Sequence, residues 1–354
     1  MVRAGFLILL VSLVFVNSLF AAGGTMPGSG TQTDPYLIED TDDFFSFIGD
    51  SAYWNKDIRL ESDISLAGTV FIQAPIAPDT NNSNSTFEGT KFSGSFDGNG
   101  YVISNLTIDV FQGTPSDQSN DFLALFGSVA QYAKLNNVAL ENVQINAGNY
   151  SQHVGALCGK CDYMSYVTNC YASGLITGQQ YTAWAGGLIG VTQAIINNSS
   201  STVDISAGIH VGGFCAELAV GGKIKNCWAS GSVEEINPSN SYSHLGGFCG
   251  RSSAMNAQAI YKCYSTGSVK ADAGDTKIGG FCGDDSQATI SNCFWDKETS
   301  GITTSPSATA KTTAEMKKLE TFKSNNWDFT RIWQMNLGSY PKIRPVYYIP
   351  GDLN

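Results

Sequence analysis

Nine cysteines are the most reactive side chains in this 354-residue chain, and eight of them fall into two series. Cys158, Cys215, Cys249 and Cys282 form the first; Cys170, Cys227, Cys263 and Cys293 form the second, each 11 to 14 residues after its counterpart. Two chemistries fit that spacing. If two strands of one repeat unit face each other across a thin core, each pair comes within disulfide range, giving four bridges with Cys161 left over. If the columns stack as free thiols, they act as small apolar core residues. Cys158-Gly159-Lys160-Cys161 has redox-motif spacing, but no thioredoxin-like helix follows it, and the columns spread along the chain rather than gathering at a zinc site.

The three histidines share one position, two residues before a glycine: His153, His210 and His244, with Trp184 and Lys277 at the equivalent places. Stacked units would bring His210 and His244 near enough to share a metal or a ligand. The simpler reading is an outward column copied by repetition, with no metal. Tyr171, Trp228, Tyr264 and Phe294 make a further column, broken at Ser200, and are the candidate ligand-binding residues. If the adjacent cysteines point inward, strand alternation puts these rings outside, where they could stack on sugar rings or a partner. If the cysteines point outward, the rings fill the core; an internal or self-packed column is the simpler reading. Asn169, Asn198, Asn226 and Asn292 read as a turn ladder, since Asn tolerates left-handed backbone and its amide can bond from unit to unit.

Glycan-cleaving enzymes use two or three carboxylates, or a carboxylate with Arg or Lys and calcium, gathered on one face. Here Glu234-Glu235 and Asp284-Asp285 are adjacent loop pairs that recur on no neighbouring unit, and no Gly-x-Ser-x-Gly, His-Glu-x-x-His or phosphate-cradling loop is present. No catalytic residue, metal ligand or cofactor is assigned.

The elements that must position these residues follow from composition and repetition. Charged residues are 14% of the chain, against roughly 25% in ordinary globular proteins. Gly, Ser, Thr and Asn replace them, which suits short strands and turns. A net charge of −11 argues against nucleic acid and anionic membrane as partners. Arg3, the apolar run Gly5 to Phe20 and the small residues after it read as a secretory signal peptide over residues 1–22, followed by no membrane span. The expected location is therefore secreted or cell surface.

One block occurs five times, as Val154-Gly155-Ala156-Leu157-Cys158-Gly159 and its counterparts beginning at Ala185, Val211, Leu245 and Ile278. The first glycines lie 31, 26, 34 and 33 residues apart, and a Cys-aromatic block, led by Asn or in one copy by Lys262, follows in each unit except the degraded copy Asn198 to Val203. Such periods mean stacked units, and short, glycine-bounded, β-branched blocks make those units strands rather than helices. Each unit should hold about three strands. Ile58 to Leu66, Phe92 to Ile108 and Leu135 to Ile145 read as earlier, less regular coils. Asp42 to Ile48 reads as a helix over the open end, which matters because a bare sheet end invites association. Thr312-Thr313-Ala314-Glu315 fits a capping box opening a helix of about ten residues, with Met316, Leu319 and Phe322 on one face. Residues 23–110 are thus expected to form an N-terminal cap and irregular coils, 111–300 the repeats, and 301–354 a C-terminal cap and tail.

The Gly-Gly-Phe-Cys-Gly and Asn-Cys-Tyr-Ala-Ser-Gly blocks resemble the GLUG repeat, found in large bacterial surface and secreted proteins that include adhesin-like and protease-associated members. Gly28 to Ile38 and Phe294 to Phe322 look like the flanks such proteins carry. Pro350 to Asn354 resembles the opening of a dockerin-type calcium loop, with Asp352 and Asn354 at its first and third ligand positions; that would make the chain a truncated piece of a longer protein. Taken together, the expectation is an all-β, right-handed parallel β-helix with short helical caps at both ends. It would serve adhesion or the binding of glycans or cell-envelope components without catalysis. A polysaccharide lyase or glycoside hydrolase on the same scaffold is the alternative, and the sequence sets no oligomeric state.

Overall fold

A computed structural model describes residues 26–111, 120–236, 242–255, 258–271, 277–285 and 288–344. The expected signal peptide and the dockerin-like end lie outside the described residues. The described chain is a parallel β-helix, and all its coil-to-coil strand pairs are parallel.

A full coil has four strands rather than the expected three. Gln152–Gly155, Cys158–Cys161, Tyr166–Thr168 and Tyr171–Thr177 make one coil, and each joins a separate sheet. We call these sheets III, IV, I and II in that order. Sheets I and II begin at Tyr36–Ile38 and Ile64–Ser65, so the irregular early coils are built mainly on them.

The extra corner explains the double glycine. A Cβ on the first glycine of the block would lie 1.8–2.5 Å from the carbonyl oxygen three residues on, at Gly155, Gly186, Gly212, Gly246 and Gly279 alike. Only glycine lets the chain turn so tightly from sheet III to sheet IV. The second glycine faces the small residue that follows the outer aromatic across the core: a Cβ on Gly187 would meet Ser201 Oγ at 2.3 Å, and one on Gly213 the Ala229 Cβ at 3.3 Å. The two halves of the repeat are therefore complementary surfaces.

Inside, Leu125, Leu157, Leu188, Phe214, Phe248 and Phe281 form a fully buried column. The Phe214–Phe248 and Phe248–Phe281 rings stack with centroids 4.8 Å apart and planes within 5°. Asn137, Asn169, Asn198, Asn226 and Asn292 have φ of 50–56°, as the turn-ladder reading expects. Their amides bond along the axis, Asn169 Nδ2 to Asn137 Oδ1 at 3.1 Å and Asn226 Nδ2 to Asn198 Oδ1 at 3.2 Å. Lys262 takes the same backbone at φ 54° without a ladder amide.

Both ends are covered. Helix α1, Thr41–Gly49, starts where Asp40 accepts from the Asp42 and Asp43 amides, and it buries Phe44 and Phe47. Phe47 packs on Phe96 and Phe92, the first rings of the core, at 5.7 and 6.5 Å. At the other end Trp295 enters the inward column of Ala172, Ser201, Ala229 and Ser265, filling the space those small residues leave open. Beyond α2, Lys297–Ser300, the strand Thr309–Lys311 adds a last rung to sheet II.

The C-terminal helix is shorter than expected. The capping box at Thr312 and Glu315 is present, but α3 spans Thr313–Met316 and a separate α4 spans Leu319–Lys323. Lys318 is extended between them. The break lets Met316 and Phe322 both bury against sheet II while Leu319, expected on the same face, stays 40% exposed. Burial of two large side chains outweighs the few hydrogen bonds of one continuous turn.

The Asn ladder can be tested at Asn226. Glycine there keeps the backbone and loses one amide bond, about 1 kcal/mol. Valine also forces a β-branched residue into the left-handed region, for a total of about 2 to 4 kcal/mol. Urea unfolding should rank Asn226→Val well below Asn226→Gly; equal losses would mean the left-handed turn is not what Asn supplies.

Candidate functional site

All nine cysteines are buried and free, so of the two arrangements the spacing allows the free-thiol columns are present, and the pairing of Cys158 with Cys170, Cys215 with Cys227, Cys249 with Cys263 and Cys282 with Cys293 is not formed. The two members of each coil sit on either side of a sheet I strand, and each thiol donates to a carbonyl two residues away or, for Cys215, to the sulfur of the next coil. Cys215 Sγ lies 3.6 Å from Cys249 Sγ on the next coil. In the second column each thiol bridges two coils: Cys227 donates to Lys225 O at 3.2 Å and accepts from the Ser199 amide at 3.4 Å. Cys263 and Cys293 accept from the Cys227 and Cys263 amides in the same way, both at 3.4 Å.

Ser199 fills the gap in the copy that looked degraded. It donates to Asn197 O at 2.9 Å and accepts from the Cys170 amide at 3.0 Å. The column thus requires a small group that both donates and accepts, and either hydroxyl or thiol suffices. Burial pushes the Cys170 thiol up to about 12, which keeps its proton for donation. Without reductant, a thiol-reactive dye should label none of the cysteines in the folded chain and all nine in denaturant; a lower denatured count would restore the disulfides.

The histidine column is not the solvated outer row expected. Phe122, His153, Trp184, His210 and His244 form one run of ring contacts, with centroid spacings of 4.5, 5.4, 5.4 and 4.6 Å, stacked except for Trp184 and His210, whose planes tilt by 52°. His153 and His244 are buried. His210 Nδ1 and His244 Nδ1 are 3.0 Å apart, the proximity that stacking implies. Asp284 Oδ2 takes the Lys277 ammonium at 2.7 Å and lies 3.5 Å from His244 Nε2. Among the described residues no three His, Cys, Asp or Glu side chains are placed to hold a metal.

Burial drives His153 and His210 down to about 3 and His244 to about 4. These rings fold as neutral imidazole. Their contribution is complete above the ordinary value of 6.5 and is lost as pH falls toward the folded values. His153→Phe continues the stack without the titration and removes the unbonded Nδ1. The melting temperature of this variant, minus that of the parent, should therefore grow as pH is lowered from about 7 to about 4; a constant difference would show that His153 is not buried neutral.

The aromatic column lies outside the coil, because the cysteines point in. Tyr171, Ser200, Trp228, Tyr264 and Phe294 are in register on successive coils. Tyr171 and Trp228 remain partly exposed, and the Tyr171 hydroxyl pairs with Thr202 Oγ1 at 3.0 Å. Tyr264 and Phe294 are covered by the chain itself: Met316, Phe322, Trp327 and Trp333 fold over them. The Tyr264 hydroxyl donates to Pro341 O, Trp327 Nε1 donates to Asn292 O at 3.2 Å, and Tyr340 donates to buried Asp296 at 2.6 Å. The candidate ligand-binding column is thus half self-packed.

Two grooves on the outer face of sheet I escaped the sequence reading. One, of about 460 Å³, is lined by Asp57, Arg59, Ser95, Asp97, Lys134 and Asn136 among others. The other, of about 160 Å³, includes Asn197, Lys223, Lys225, Gln258 and Tyr261. The available signal was local: polar residues flank one buried apolar residue in Asp57-Ile58-Arg59, Lys134-Leu135-Asn136 and Lys223-Ile224-Lys225. Asp97, the acid nearest a ladder, is occupied, its Oδ1 accepting from the Asn99 amide and Asn137 Nδ2 at 2.9 Å each.

The chain matches no known family model. It is 28% identical over 327 residues to Halomucin of Haloquadratum walsbyi, an alignment that covers 90% of this chain and 3% of that protein. It is 29% identical over 136 residues to an Evansella cellulosilytica protein provisionally described as a Gly-rich membrane protein, covering 38% of this chain and 12% of the other. The chain thus spans a small fraction of the length of these curated relatives. The crystal structure of a Bacteroides ovatus protein, provisionally described as an immunoglobulin A1 protease, superposes with a TM-score of 0.62 over 91% of this chain and 96% of that one. At 20% identity this is a likeness of fold, and the fold is the parallel β-helix described above.

Proposed function

We propose that this chain is a GLUG-type β-helical segment of an exported surface protein, and that it binds glycans or cell-envelope components without cleaving them. The observation that carries this reading is how the reactive side chains are used. Cysteine thiols, asparagine amides, imidazoles and half the aromatic column are bonded coil to coil as rungs of the stack. What the coil presents outward is a rigid, periodic display of polar and aromatic groups at about 4.8 Å spacing, a geometry suited to polymeric partners.

The similarity to a stretch of Halomucin and the signal-like residues 1–22 support export to the surface. No helix among the described residues is long and apolar enough to cross a membrane. The competing lyase or hydrolase reading draws on the groove that places Asp57 and Asp97 on adjacent coils. In that groove Asp97 Oδ1 accepts from the Asn99 amide and from Asn137 Nδ2, which ties one of its two oxygens into the asparagine ladder.

A glycan array run beside assays for reducing ends and unsaturated products tests the choice. Binding without product is expected. Product release would replace this reading with the enzymatic one, and failure to bind any glycan or envelope fraction would remove it.

A further inference from the structure

We propose that the outer face of sheet I, centred on Lys223, Lys225 and Tyr261, binds a linear carboxylated glycan lying along the coil axis. This rests on the binding reading above and assigns it a place and a ligand class.

Strand pairing lines up two outward columns on this face. Lys134, Tyr166, Ile195 and Lys223 form one; Asn136, Thr168, Asn197, Lys225, Tyr261 and Ser291 form the other. From Lys134 onward neither column contains a carboxylate, although the chain as a whole carries a net charge of −11. Lys134, Lys223 and Lys225 are exposed, and none of them is in an ion pair among the described residues. A strip of uncompensated ammonium groups on an acidic protein is a surface with a chosen sign.

The groove here has room for on the order of ten waters in its 160 Å³. Its walls supply the complement of a uronate ring. Lys223 and Lys225 stand about 7 Å apart on one strand, and as compact point charges they meet carboxylates without demanding a fixed geometry. Asn197 and Gln258 offer amides to sugar hydroxyls. Tyr261 offers a ring that already attracts cations, with Lys225 Nζ 5.8 Å and Lys262 Nζ 4.8 Å from its centroid. The columns run along the axis, so a linear chain could follow them. Three or four lysines on an otherwise acidic chain are too few for nucleic acid, which binds through many phosphate contacts.

The test is calorimetric titration of the whole chain with an oligogalacturonate, its methyl-esterified form and a single-stranded oligonucleotide of equal charge. The free acid should bind and weaken with salt, while the ester and the oligonucleotide should not bind. Lys223→Glu with Lys225→Glu should lower affinity at least tenfold, Lys223→Gln with Lys225→Gln several-fold, and Lys270→Gln, an exposed lysine on sheet II, should leave it unchanged. Circular dichroism and melting temperature report whether the variants keep the fold. Unchanged binding in both lysine pairs would overturn the location, and equal binding of the oligonucleotide would overturn the ligand class. If the array finds only neutral glycans, this proposal falls while the broader binding reading stands; if it finds no ligand, both fall.

Discussion

Backbone hydrogen bonds from coil to coil hold successive strands about 4.8 Å apart, and the side chains of this protein are arranged to live with that spacing. A residue at one register sits directly above its counterpart, so each column must be filled by groups that tolerate close repetition. Flat rings do so by stacking, as in the Phe214–Phe248–Phe281 core at 4.8 Å. Amides do so by donating to the coil before, and thiols by donating to a carbonyl of their own coil while accepting from an amide of the coil before. Repetition of sequence is the outward sign of this constraint rather than its cause.

The same constraint settles what happens where repetition fails. Ser199 replaces a cysteine without harm because the column selects for a donor and acceptor of small size. Trp184 and Phe122 share the histidine column because the stack selects for planarity, and they accept the same positive φ as His153. At the ends, where no further coil arrives, the inward columns would face water. Phe47 and Trp295 close them from helix α1 and from the sheet II rung next to the last.

Outward columns escape most of this selection, and function can therefore vary there. The chain uses part of that freedom to anchor its own C-terminal segment, burying Tyr264 and Phe294 under Met316, Phe322, Trp327 and Trp333. Burial of those rings, at about 2 kcal/mol or more apiece, holds the tail on the side of the coil. The outer face of sheet I is left with charge and grooves.

From sequence alone came the β class, the coil boundaries, the left-handed asparagines, the N-terminal helix and the capping box at Thr312. These depend on residues adjacent along the chain: glycine pairs, alternation, and cap spacing. Other features depend on which way a side chain points and on what another coil, 26 to 34 residues away, places beside it. The tertiary structure therefore decided that the cysteines stay free thiols and do not pair with each other within a coil. It likewise decided that the helix breaks at Lys318 and that His153 and His244 are buried in the histidine column. Lys223, Lys225 and Tyr261 meet on one face for the same reason: loops of unequal length hide the register in the sequence, and only hydrogen bonding between coils restores it.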